Sequence, residues 1–104
     1  MSAVVVTAVF TPVEGRLEAV LDALRPAIEA VQTEPGCELY AIHQHPNGDI
    51  VMIEKWSTVE QLDAHGEGPA VAALNTALAG LLEGPAVVTR LVPIPVGDPI
   101  RGTL

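Results

Sequence analysis

The chain has 104 residues, 49% of them hydrophobic, 17% charged and 3% aromatic, which supports one domain with an apolar core and excludes an intrinsically disordered chain. Five basic residues stand against thirteen acidic ones, for a net charge of −8. No Lys/Arg cluster occurs anywhere, which excludes nucleic acid and anionic membrane surfaces as partners.

Residues 3–10, AVVVTAVF, are a β-branched apolar run of strand length with both alternating faces largely apolar. A strand buried on both sides is expected. The N-terminal stretch lacks a basic n-region and a cleavage pattern, and it is too short to cross a bilayer. With Cys37 as the sole cysteine, no intrachain disulfide can form, and a reducing cytoplasmic setting is expected.

Thr11-Pro12-Val13-Glu14 has the form of a capping box with Pro at the first helical position. Val13, Leu17, Val20, Leu21, Leu24, Ile28 and Val31 then recur at helical spacing, which predicts a helix to about Gln32 with a kink at Pro26. Glu34-Pro35-Gly36 reads as a turn. Residues 37–45 and 50–56 read as strands joined through Pro46-Asn47-Gly48-Asp49, where Asn-Gly is a strong hairpin signal. Ser57-Thr58-Val59-Glu60 is a second capping box, with Ser57 as N-cap of a short helix to about His65. Gly66, Gly68 and Pro69 break it. Residues 70–82 carry Val71, Leu74, Leu78, Leu81 and Leu82 at helical spacing, and 86–92 form a last strand. The tail, PIPVGDPIRGTL, has the prolines of an extended segment.

The order β-α-β-β-α-β predicts an α+β, ferredoxin-like unit: a four-stranded antiparallel sheet with the helices on one face. Residues 1–94 would form the domain and 95–104 the tail. Strands apolar on both faces then require a cover for the second face. A homodimer packed sheet to sheet provides one, and it accounts for the low charge of so small a body.

The segments EPGCELYAIHQ (34–44) and IEKWSTVEQLDAH (53–65), in this element order, resemble the antibiotic biosynthesis monooxygenase family, which includes quinol monooxygenase-like proteins. The resemblance covers roughly residues 3–94. It implies a dimeric α+β barrel and, in several branches, oxygenation of polycyclic phenols or quinols without metal or flavin. Fold membership does not by itself fix the reaction. The haem-degrading branch is set aside, because Thr7, His65 and Asn75 stand where that branch has Asn, Trp and the axial His.

The resemblance makes His65 the candidate catalytic residue, a base or hydrogen-bond partner for a substrate hydroxyl. A histidine in a helix's last turn also interacts well with the terminal carbonyls, so a structural role stands beside it. Trp56 is either an apolar wall for a flat substrate or a core anchor. Tyr40 could bond a substrate oxygen or pack at a dimer interface. Glu54 shares strand parity with Trp56 and faces either a pocket or a cross-strand partner. Asn75 is the polar candidate on the second helix. His43 and His45 lie two apart, but no carboxylate or cysteine stands at metal spacing beside them, so no metal site is expected. Cys37 has no basic neighbour to activate it. The expected function is a cofactor-free monooxygenase acting with O2 on a small aromatic or quinol-like molecule, with no cofactor required. The alternatives are a non-catalytic binding dimer and an isomerase using the same pocket.

Overall fold

The β-branched run Val4–Phe10 forms strand β1 in the computed structural model, which describes residues 3–104. Met1 and Ser2, counted at the start of the expected domain, lie outside the described residues. Helix α1 (Leu17–Val31) follows, then β2 (Cys37–Gln44), β3 (Ile50–Trp56), α2 (Val59–Gly66), α3 (Pro69–Leu78) and β4 (Val87–Leu91). The four strands make one antiparallel sheet in the order β2-β3-β1-β4. This is the ferredoxin-like α+β arrangement, with its second helix in two pieces. Pro69 starts α3 and Gly68 precedes it as N-cap, so the break expected at Gly66-Gly68-Pro69 is observed.

Register decides which side chains meet. Val4, Val6, Ala8 and Phe10 lie opposite Trp56, Glu54, Met52 and Ile50, while Tyr40 and Ile42 lie opposite Glu54 and Met52. These residues share one sheet face, because side chains alternate along a strand. The helices cover that face. Val20, Leu24 and Val31 of α1 are buried against it, as are Leu62, Leu74 and Leu78 of α2 and α3. Burying each such side chain stabilises the fold by about 1.5–3 kcal/mol.

The other face carries Val5, Thr7, Val9, Val51, Ile53, Val87 and Leu91, and no helix among the described residues lies over it. Strand β3 alternates buried and half-buried residues, and β4 is exposed throughout. Burial of the strands on both sides is therefore not reached within one chain.

Three local expectations are corrected. Thr11-Pro12 does not cap α1. Pro12 forms an isolated bridge with Leu82, Val13 N–H bonds to Leu81 O, and Glu83 N–H bonds to Thr11 O. The chain then turns through Gly15 (φ +79°), and α1 begins at Leu17 with Arg16 as its N-cap. The N-cap of α2 is Thr58, whose hydroxyl accepts from Gln61 N–H at 3.1 Å. Ser57 instead donates to Glu38. Helix α3 stops at Leu78 rather than Leu82, because residues 81–83 are taken up by that pairing with 11–13. The tail also departs from a simple extended run. Asp98 accepts from the backbone N–H groups of Ile100 and Arg101, which turns the chain back at 98–102.

Candidate functional site

The turn between α1 and β2 and the start of α2 are pinned together. Gly36 has φ +85°, and a Cβ there would run into the Gln61 side chain. Ser57 N–H donates to Gly36 O at 2.9 Å. This junction brings Glu34, from the turn, to His65, 31 positions later at the end of α2.

The His65 ring is held on three sides. Its Nδ1 lies 2.8 Å from Glu34 Oε1. Its plane stacks on the Trp56 indole at 4.6 Å between centroids, with 29° between planes. Tyr40 meets it edge-on at 5.6 Å. Trp56 Nε1–H donates to Glu54 Oε1 at 2.9 Å, wholly inside the protein. His65 and Glu54 are the two buried polar or charged residues among the described ones, at 8% and 5% exposure.

A cavity of about 200 Å³ opens between the sheet and the α2–α3 pair. Tyr40, Glu54, His65 and Asn75 border it, with Val6, Ala8, Phe10, Leu62, Val71 and Leu74 as apolar walls. A groove continues from it between α3 and β4, sharing Phe10, Val71, Asn75 and Val88. Arg90 of β4 also reaches the cavity, and its guanidinium pairs with Asp63 of α2 at 2.8 Å across the rim.

Among the described residues no buried side-chain nitrogen or oxygen lacks a hydrogen-bond partner. Among the described residues His65 Nε2, Tyr40 Oη and Glu54 Oε2 have no hydrogen-bond partner, so each keeps some contact with open space. The open space these three residues share is the cavity.

Burial pushes the Glu54 carboxyl up from its ordinary value, with the Trp56 hydrogen bond and nearby His65 pulling it partly back. Burial also pushes the Tyr40 phenol well up, reinforced by the Glu54 and Glu34 carboxylates. Tyr40 is therefore a neutral donor at physiological pH, and Glu54 is a carboxyl that resists ionisation. The arrangement can hydrogen-bond a substrate oxygen, accept a proton and exclude water.

Four of the five expected site residues thus border one cavity. Asn75 stands at its exposed rim. Trp56 is not a wall of it: the indole is fully buried behind His65. The dimer-interface reading of Tyr40 is also corrected, since its register with Glu54 puts it on the helix-covered face. The geometry adds two residues, Glu34 and Arg90. Glu34 stood in view in the EPGC turn, but nothing in the sequence linked it to a histidine so far along.

The remaining candidates lie elsewhere. His43 Nδ1 lies 3.3 Å from Val51 O on the open face, and His45 Nδ1 accepts from Asn47 N–H in the hairpin turn. No group of three or more His, Cys, Asp or Glu side chains suited to a metal ion occurs among the described residues. The Cys37 thiol is pushed up, first by burial and then by Glu34 and Glu54, so it stays protonated and unreactive. No helix among the described residues is long and apolar enough to cross a membrane.

Known proteins resemble this architecture closely. The protein Rv0793 of Mycobacterium tuberculosis superimposes with a TM-score of 0.85 at 28% identity, over 93% of this chain and all (100%) of that one. PA3566 of Pseudomonas aeruginosa gives 0.81 at 24% identity, over 90% and 96%. SO0527 of Shewanella oneidensis gives 0.80 at 23% identity, over 88% and 90%. The last two likenesses establish the fold alone. No curated protein sequence matches the chain. The profile described as antibiotic biosynthesis monooxygenase matches residues 3–77. The chain belongs to the antibiotic biosynthesis monooxygenase family.

Proposed function

We propose that this protein is a homodimeric monooxygenase that oxidises a small phenol or quinol-type molecule with O2 and needs no cofactor. The reading is carried by the convergence of a histidine, a tyrosine and a glutamate on one largely apolar cavity. In this scheme His65 Nε2 takes the proton from a substrate hydroxyl, giving an electron-rich anion. The anion's ring carbon forms a C–O bond with O2, and the substrate supplies the electrons. The resulting hydroperoxide takes up a proton and loses water, leaving a carbonyl in the product. One oxygen atom ends in the product and the other in water. Tyr40 donates to the substrate oxygen, Glu54 and Asn75 orient it, and the aliphatic walls exclude bulk water.

The homodimer accounts for the uncovered sheet face. Val5, Val9, Val51, Ile53, Val87 and Leu91 would pack against their counterparts in a second copy. The apolar residues Ile94, Val96, Ile100 and Leu104, each at least half exposed, would lie along that partner. Domain 1–94 and tail 95–104 are assigned on the same basis, and the cytoplasm is the proposed compartment. Light scattering tests the assembly: twice the 10.9 kDa chain mass is expected, falling to one chain with Ile53→Glu. A monomeric wild type overturns it.

Oxygen uptake against a panel of quinols and phenols tests the reaction. Turnover is expected with at least one, with loss of about 10²-fold or more on His65→Ala. Unchanged turnover in that variant removes the base assignment. One observation favours a binding protein instead: Trp56, the family's aromatic at this strand end, is fully buried and offers a ligand no stacking face. Thermal-shift binding without oxygen uptake would select that reading, or an isomerase.

A further inference from the structure

We propose that Glu34 is the positioning residue of His65: its carboxylate holds the imidazole proton on Nδ1 and so presents the Nε2 lone pair to the cavity. A neutral imidazole carries one proton on either nitrogen, and the hydrogen bond made by one nitrogen decides the other's role. An ionised carboxylate can only accept, so a contact of 2.8 Å between Glu34 Oε1 and His65 Nδ1 places the proton on Nδ1. The two ring nitrogens point away from each other. Nε2 is therefore directed away from Glu34, without a partner among the described residues, on a residue that borders the cavity.

Three further features suit Glu34 to this task. Its side chain is 23% exposed against 8% for His65, so the carboxylate sits at the water boundary while the imidazole lies inside. Its backbone is fixed on both sides, by its own N–H to Val31 O at 2.9 Å and by Cys37 N–H to Glu34 O at 3.2 Å. The turn that carries it is fastened to the start of α2 through Gly36. Stacking on Trp56 then leaves the ring little freedom to flip and exchange its nitrogens.

The catalytic consequence rests on the reading of His65 as the base, but the tautomer does not, and the experiment separates them. Two-bond 1H–15N correlation spectra of the full, 15N-labelled chain, recorded between pH 7 and 9, report which nitrogen is protonated. His65→Ala identifies the His65 signals against His43 and His45. The wild type is expected to show protonated Nδ1 and bare Nε2. Glu34→Gln, whose amide oxygen still accepts, is expected to keep that pattern, and Glu34→Ala to shift it toward protonated Nε2, the form favoured in free imidazole side chains. Protonated Nε2 in the wild type, a ring that stays doubly protonated to pH 9, or an unchanged pattern in Glu34→Ala each overturn the proposal. Should Glu34→Ala fail to fold, the wild-type and Glu34→Gln spectra still decide it, since loss of the Nδ1 proton in either refutes it.

With a turned-over quinol in hand, Glu34→Ala is expected to lower kcat about 10–100-fold with KM within about threefold, and Glu34→Gln to recover most of it. The expected tautomer without any turnover would uphold the positioning role and count against the monooxygenase reading alone.

Discussion

Replacing Trp56 by Phe tests whether the indole's main task is to satisfy Glu54. The substitution keeps an aromatic ring behind His65 and removes the N–H that donates to Glu54 Oε1 at 2.9 Å. Two terms set the cost. Breaking a hydrogen bond to a buried carboxyl oxygen leaves that acceptor unsatisfied and costs about 1–3 kcal/mol. The lost ring volume, roughly 40 Å³, adds about 1 kcal/mol at ~24 cal/mol per Å³ of cavity. The total is about 3 kcal/mol, or roughly 12–24 °C in Tm for a domain of this size. In a Glu54→Met background the bond is already absent, so the same change should cost about 1 kcal/mol or less. The coupling between the two positions is then about 2 kcal/mol. Urea unfolding at one protein concentration measures it. Far-UV circular dichroism must be the probe, since Trp56 is the only tryptophan and its fluorescence vanishes with the mutation. Equal costs in the two backgrounds, within about 0.5 kcal/mol, would refute the reasoning.

Gly36→Ala should destabilise the fold by about 1–3 kcal/mol, because φ is +85° and the added Cβ meets the Gln61 side chain; a thermal melt within 1 °C of wild type would contradict this (about 0.2 kcal/mol). Thr58→Ala should cost about 1 kcal/mol through loss of the α2 cap, measured by the same urea curves. Glu54→Gln should change the pH profile of stability. The folded-state pKa of Glu54 is raised, so the native state holds its proton more tightly than the unfolded state. Its contribution is present below the unfolded value and is lost as pH rises through the folded one. Between those two values the wild type should weaken with rising pH relative to the Gln variant, and parallel profiles would remove burial as the cause.

Local patterns were legible where the determining contacts are also local. The Asn47-Gly48 turn and the largely apolar run 50–56 after it place β3 at its observed bounds. Thr11-Pro12-Val13-Glu14 misleads because its competitor is distant: pairing with residues 81–83 takes the backbone groups that a cap would have used. The cap of α2 moves by one position for a related reason, since Ser57 faces β2 and Glu38 claims its hydroxyl. Tyr40, Glu54 and His65 were readable as candidates from residue type and family resemblance. That they share a cavity required the strand register, and so did the burial of Trp56, which stacks on the imidazole and does not line the cavity. Glu34 was hidden because its meaning depends on a partner 31 positions away.

The hairpin turn bears on how the molecule ages. Asn followed by Gly is the dipeptide most prone to deamidation, in which the glycine nitrogen attacks the asparagine carboxamide to form a succinimide. Here Gly48 N–H donates to His45 O at 2.9 Å. The Asn47 carboxamide is tied at both ends, accepting from Asp49 N–H and donating to Asp49 Oδ2. Nucleophile and electrophile are both committed elsewhere, so folding itself protects the turn. Stored side by side, the folded chain should keep its charge of −8 while the urea-unfolded chain gains one negative charge and about 1 Da per turn converted, a difference that intact-mass spectra over several weeks would reveal.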